Sequence, residues 1–554
     1  MPTILKKMPA AVRCALAVLC AAVCGVVWAY YWRVFFGLDN RVSPLVVTLG
    51  CVAFLEVCLL AGFCLRRFAK GFAAKCGVCI FLCGLLFVFA DPPMQAPDEA
   101  VHYLRTYAVS TGHFDFDASR TYPEDVARLM EAFPGAWVNA HTSAGIGTDP
   151  DTGEEKAYNT AGYALKQYGK DGAVQSIADS FALYFAQDTA PEPVAEPVSF
   201  LVIPFLPGAL GMALARLFGF GALGCLYGGR IVNLAAYTLL CVLALAKAER
   251  FRPAFAAIML LPMSLFMAAS LSYDATLLGC YYLMLALLTR KDWDTRTVAV
   301  YAAACVYVNI AKPYLNLLWV LPILLVAKQE WHAKGRRPLW ALGSFGGAVA
   351  VTLLTEWYGS AFRSNYPVIE RQGGSTVNGG AQLAFVLHNP LRTIAAFWGT
   401  LAENDFFAGQ LGLFGWKDLP VNFLNLTGPL VLLAAALLAA ARPKQKDLFP
   451  NRRRVGGMAV LALVYAVGAM AAMYITYTPV AMVRIVGLQA RYFLCVWLAW
   501  LPALAVLLRK TICPAMTEQK AEAISIPLFA GYAALGAVLL FQHYFVGPVY
   551  VIYA

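Results

Sequence analysis

Blocks of about 15–25 uncharged, apolar residues recur along this chain, the length a helix needs to cross roughly 30 Å of hydrocarbon. That feature limits the fold more than any other, because a helix satisfies its own backbone N–H and C=O groups where no water can. Composition agrees. Of 554 residues 60% are hydrophobic and only 14% charged, whereas a soluble domain of this size carries about a quarter charged residues. The first block, Cys14 to Trp32, follows Lys6, Lys7 and Arg13. It lacks a small-x-small exit and has further blocks behind it, so it reads as an uncleaved first helix rather than a signal peptide.

Spans are expected near 11–32, 44–65, 73–90, 223–246, 254–271, 275–289, 297–311, 314–327, 339–355, 422–441, 457–475, 491–508 and 526–543. Charge orients them. Between Asp91 and Pro197 there are 17 Asp or Glu against 6 Lys or Arg, while the rest of the chain carries 37 basic and 15 acidic residues. One large acidic loop outside and many short basic loops inside produce that split, which does not point to nucleic acid. With thirteen spans and a cytoplasmic N-terminus, every strong basic cluster falls on one side and the C-terminus lies outside. The apolar segment Phe200–Phe218 is short and contains Pro204 and Pro207. It is read as a helix lying in the outer interface; counted as a span, it would invert everything downstream.

The expected fold class is therefore an all-α polytopic membrane protein with a large first extracytoplasmic loop. Its regions are 1–90 (three spans), 91–222 (acidic loop and interfacial helix), 223–355 (core spans), 356–421 (second extracytoplasmic region) and 422–554 (C-terminal spans). The middle of the first loop, 141–170, reads as irregular, and Leu391–Leu401 as a piece that re-enters or lies along the membrane surface. All 15 cysteines sit in or beside apolar blocks and none in the two outer regions, so those regions have no material for disulfides.

The segment Asp91-Pro-Pro-Met-Gln-Ala-Pro-Asp-Glu-Ala-Val-His-Tyr-Leu-Arg follows the third span. Pro97 suits the first position of a helix, which puts Asp98 and Glu99 in its first turn. His102 and Arg105 then lie on the same face. A carboxylate beside an imidazole at a membrane surface can act as a base or ligate a divalent cation; equally, it can only cap the helix. Asp274, at the outer end of two spans, is an ionisable group at membrane depth that either faces a cavity or caps the next helix. Arg230, Lys312, Arg484 and Arg491 supply outer-side cations able to hold a lipid phosphate or ordinary headgroups. No Walker loop, no HExxH and no GxGxxG after a strand is present, so the sequence makes no case for a nucleotide site.

Taken in order, these stretches carry a resemblance. Pro97-Asp98-Glu99 with His102, Pro204 to Gly211, Leu261-Pro-Met, Ser270 to Asp274, Lys312-Pro-Tyr314, Phe414-Gly-Trp416 with Asp418, and Gln489 to Phe493 resemble a bacterial family of polytopic membrane proteins grouped with the GT-C-fold glycosyltransferases. Ala490 replaces the usual Gly of a Gln-Gly-Arg-Tyr run, and Cys495 replaces a Pro. The resemblance implies a GT-C-like bundle that transfers a sugar from a polyprenyl-phosphate carrier to a glycan or lipid acceptor at the outer face. Asp98 or Glu99 would be the base or a metal ligand, Asp274 a second acid, and His102 and Arg105 would orient the carboxylate or leaving phosphate. Tyr314, Trp416, Gln489 and Arg491 would join the substrate site, and any divalent cation would fall to Asp98, Glu99 and Asp274. Two other classes also fit the sequence: a transporter or flippase of an anionic lipid-linked saccharide, and a non-catalytic component of surface-polysaccharide assembly. Convergence of the charged residues on one outward cavity would favour the enzyme, and a pore through both leaflets the transporter.

Overall fold

The computed structural model describes residues 69–115, 120–133, 202–311, 318–363, 377–415, 419–442, 452–509 and 516–541, with isolated stretches at 62, 67, 146–148, 155–159, 167–168, 174–175, 191–193 and 550–552. The expected spans 11–32 and 44–65 fall wholly or almost wholly outside the described residues.

Helix α1, Gly71–Ala90, stops where Pro92 and Pro93 remove the donors and backbone angles a helix needs. Next come α2 (Glu99–Ser110), α3 (Glu124–Ala132) and α4 (Leu206–Leu217). The central part holds α5 (Ala222–Lys247), α6 (Arg252–Met259), α7 (Pro262–Ala268), α8 (Asp274–Leu288), α9 (Thr295–Ala311) and α10 (Leu321–Leu325). Helices α11 (Arg337–Arg363), α12 (Gly379–His388), α13 (Pro390–Ala402) and α14 (Asn404–Leu411) follow. The last four are α15 (Asn422–Ala439), α16 (Arg452–Thr476), α17 (Leu494–Leu508) and α18 (Glu518–Phe541).

Seven helices among the described residues are long and apolar enough to cross a membrane: Gly71–Ala90, Ala222–Lys247, Arg337–Thr355, Asn422–Ala439, Arg453–Thr476, Ala490–Leu508 and Glu518–Phe541. Asp274–Leu288 and Thr295–Ala311 are apolar but shorter. Two expected spans change form. Span 254–271 is two helices, α6 and α7, because Pro262 cannot donate to the ladder and the chain bends at Leu260–Leu261. Span 314–327 keeps a five-residue helix, α10, after a 3₁₀ turn at 318–320, and residues 312–317 lie outside the description.

Segment 200–218 forms a 3₁₀ turn at Ile203–Phe205 and then α4. Twelve residues reach only ~18 Å, too short to cross. Its exposed stripe, Leu206, Leu210, Leu214 and Leu217, faces away from the bundle. The opposite side lies so close to α5 that a Cβ on Gly211 would collide with the Gly228 carbonyl. In the stretch 377–415 helix α13 is likewise two-sided, with Leu391, Ile394 and Trp398 exposed and Ala396 buried.

The long helices alternate in direction. Leu271, after α7, reaches Glu99 beside α2, whereas Glu249, after α5, pairs with Arg290, after α8. Trp293, before α9, stacks on Trp331, after α10. One end of the bundle thus gathers Asp91, Glu99 and Asp274, and the other gathers Arg290, Glu330, Arg337 and Arg454. The sheets are small. Ile146–Thr148 pairs antiparallel with Glu155–Asn159, which also pairs with Tyr550–Ile552, so part of the stretch expected to be irregular is a strand partner of the chain's last residues.

Candidate functional site

Adjacent residues Asp98 and Glu99 have opposite surroundings. Helix α2 begins at Glu99, not at Pro97 as the sequence suggests, and Asp98 is its N-cap in the left-handed region at φ 62°. Asp tolerates that conformation better than most residues, at a cost of order 1 kcal/mol. The turn points the two carboxylates in different directions.

The Glu99 carboxylate is fully buried. Its Oε1 accepts from Arg230 Nε at 2.8 Å and from the Leu271 amide at 3.1 Å, and its Oε2 accepts from Arg230 Nη2. Arg230, in α5 and also fully buried, donates further to the Val88, Asp91 and Pro92 carbonyls and to Asp91 Oδ2. All five of its N–H donors have acceptors within the protein. The expectation that Arg230 meets a lipid phosphate is therefore corrected: its fork is saturated by the end of α1 and the start of α2. Glu99, bound to the same guanidinium, is a structural anchor rather than a free base. Three residues along α5, Asn233 donates to the Ser270 and Ser272 carbonyls and fixes the turn before α8. Sequence reading missed Asn233, although Arg230 and Asn233 one turn apart in an apolar helix were a visible signal.

Asp98 stays accessible, its side chain 40% exposed. Facing it is Arg491, from the 3₁₀ turn Ala490–Phe493 that precedes α17. Arg491 Nη2 lies 3.8 Å from Asp98 Oδ2, and its Nε donates to Asp274 Oδ2 at 3.2 Å. Asp274 opens α8, its amide donating to Ser272 Oγ. One guanidinium thus bridges two carboxylates from segments far apart in the chain, one buried and one open.

His102 completes the group. It is buried between Phe205 and Tyr273, with ring centres 5.6 and 5.3 Å away, and its Nδ1 has no hydrogen-bond partner. Burial lowers the imidazole below its ordinary value of 6.5, while Asp98 and Asp274 pull it upward. Arg105 does not join. It donates to the Asp115 and Phe114 carbonyls at 2.6 and 2.9 Å, holding the chain beyond α2.

Arg484 is exposed and pairs with Glu403 at 2.5 Å. Gln489 lies two residues before Arg491, its Oε1 buried without a partner. Lys312, Tyr314 and Trp416 lie outside the described residues. Among the described residues no group of three or more His, Cys, Asp or Glu could hold a metal ion. Asp98, Glu99 and Asp274 do not form such a set, because Arg230 occupies Glu99.

Below the cluster runs a cavity of about 500 Å³, lined by α8, α16 and α17 with Ala311, Leu318 and Leu321. Tyr273 and Tyr492 form its head, next to His102 and Arg491, and Leu288 and Met458 lie at its far end. There Arg454 donates to the Leu288 and Arg290 carbonyls and pairs with Glu330. On its flank Val464 and Gly468 are exposed, so the cavity reaches the side of the bundle.

A bundle of long apolar helices with charged groups gathered at its ends defines a polytopic helical membrane protein. Residues 81–499 match the family described as predicted membrane protein (DUF2142), and the chain belongs to that family. No curated protein and no solved structure matches it.

Proposed function

We propose that the protein is a GT-C-type membrane glycosyltransferase, moving a sugar from a polyprenyl-phosphate donor to a cell-envelope acceptor at the extracytoplasmic face. One observation carries the reading: an accessible carboxylate, Asp98, stands opposite Arg491 at the head of an apolar cavity that follows the helices toward the other end of the bundle. The cavity suits a hydrocarbon chain, and the cluster suits the phosphosugar at its end.

Asp98 takes the proton of the acceptor hydroxyl as its oxygen bonds to the anomeric carbon. The bond from that carbon to the phosphate oxygen breaks, and its electron pair leaves with the lipid phosphate. Arg491 lies close enough to Asp98 to steady either the carboxylate or the departing charge. Asp274 orients Arg491, and Tyr273 and His102 wall the site. Since polyprenyl phosphate is a good leaving group, positioning and one base supply most of the catalysis required.

The charge pattern supports this orientation. The basic groups at the Arg454 end suit the cytoplasmic side under the positive-inside rule, which supports an extracytoplasmic position for Asp98. The Arg454–Glu330 cluster beyond the far end of the cavity supports a closed pocket over a transport path. The test is sugar transfer from a radiolabelled polyprenyl-phosphate sugar in proteoliposomes. Asp98→Asn should abolish transfer while the protein remains folded and inserted. Full activity in that variant would defeat Asp98 as the base, and absence of transfer by the unmodified protein, or a reporter placing residue 98 in the cytosol, would defeat the reading.

A further inference from the structure

The two ring nitrogens of His102 lie in different surroundings. Nδ1 is sealed and has no hydrogen-bond partner. Phe205 and Tyr273, whose own ring centres are 5.8 Å apart, close an aromatic triangle with the imidazole. Nε2 is not among the sealed atoms, and the residue keeps 9% exposure. Among the described residues Nε2 makes no hydrogen bond or ion pair. Tyr273 belongs to the head of the cavity, and Asp98, Asp274 and Arg491 stand near enough for their charges to act on the ring.

That asymmetry selects a tautomer. A neutral imidazole has one N–H and one lone pair. An N–H at Nδ1 would be a buried donor with nothing to bond, a rarer and costlier arrangement than an idle acceptor. The proton therefore sits on Nε2, where the negative charge of Asp98 and Asp274 favours a donor. In this form the open nitrogen can give a hydrogen bond but cannot take a proton. Arg491 is placed similarly. Its Nε donates to Asp274, while its two terminal nitrogens make no hydrogen bond among the described residues. Arg230, by contrast, has every donor engaged.

We infer that neutral His102, through Nε2–H, joins the terminal nitrogens of Arg491 in seating the phosphate of the carrier lipid at the cavity head, as a donor and not as a base. The identity of the ligand rests on the transferase reading. The test is NMR of the full chain in nanodiscs with ring-15N histidine, the His102 signals being assigned by their loss in His102→Gln. At neutral pH Nε2 should be protonated and Nδ1 bare. Farnesyl phosphate should move the Nε2 signal, in the unmodified chain and in Asp98→Asn alike. His102→Gln, which keeps an N–H, should retain more transfer than His102→Leu, chiefly through a smaller rise in KM. An Nδ1–H tautomer, an imidazolium, or an Nε2 signal unmoved by farnesyl phosphate would overturn the inference. So would a signal moved as far by farnesol or by inorganic phosphate. Asp98-dependent transfer without the Nε2 response sinks only this seat, whereas the response without any transfer by the unmodified protein sinks the transferase reading and leaves a lipid-phosphate site.

Discussion

Replacing Arg230 by Met tests the reasoning about the site's foundation. The substitution keeps an unbranched, apolar stem but removes the cation to which Glu99 Oε1 and Oε2 and Asp91 Oδ2 are bound. It also strips the Val88, Asp91 and Pro92 carbonyls of a donor. Glu99 and Asp91 are both fully buried, so two carboxylates would be left close together without a counter-charge. Breaking a buried ion pair by removing one partner costs about 3–5 kcal/mol. Arg230→Met should therefore lower the thermal unfolding midpoint in detergent by far more than Asp98→Asn, which alters an open side chain. Adding Glu99→Met should recover part of the loss, because an apolar pair leaves fewer uncompensated charges. An Arg230→Met protein as stable as the unmodified chain would show that the guanidinium is not the anchor described here.

Other outcomes follow from the same geometry. Arg491→Gln should sever the charged link between Asp274 and Asp98, so transfer should fall sharply; because Asp274 is nearly buried the unfolding midpoint should fall as well, though by less than in Arg230→Met, since Gln keeps a donor and one carboxylate rather than two is left without its cation. Gly468→Trp should block the cavity and prevent capture of a fluorescent polyprenyl phosphate, measured by retention on immobilised protein. Gly211→Val should force α4 from α5, lowering the unfolding midpoint by an amount equivalent to about 1–3 kcal/mol. His102 has a folded-state value below its unfolded one, so the unfolded chain binds the extra proton. Stability from this residue is present above about pH 6.5 and declines as the pH falls below it; His102→Leu should flatten that acid-side slope in a pH series of unfolding midpoints.

Much of the bundle was legible because hydrocarbon imposes one rule on every span. The positions of α1, α5, α15, α16 and α18 follow from uncharged length alone, and Arg290, Arg337 and Arg454 gather at one end of the bundle. The bent α6–α7 element shows where that rule loses resolution: Pro262 was visible, but mean hydropathy does not sense a missing donor. The site was half legible. In the sequence Asp98 with His102, Asp274 and Arg491 stand out as three separate signals, and the fold brings them together. The roles of Glu99, Arg230 and Arg105 could not be read because spacing on one helix says which side chains share a face, not which distant segment claims them. Glu99 shares a face with His102 in sequence, yet its partner lies 131 residues away.

That long reach has a consequence for biogenesis. The Glu99 anchor needs the end of α1, the start of α2, the middle of α5 and the turn before α8, and Arg491 comes from a region more than two hundred residues further on. A chain emerging from the insertion machinery cannot set Asp98 opposite Arg491 until nearly the whole polypeptide has been made and docked. Under the proposed transferase reading the carboxylate would be armed only at the last stage of assembly, and half-built chains would stay inert.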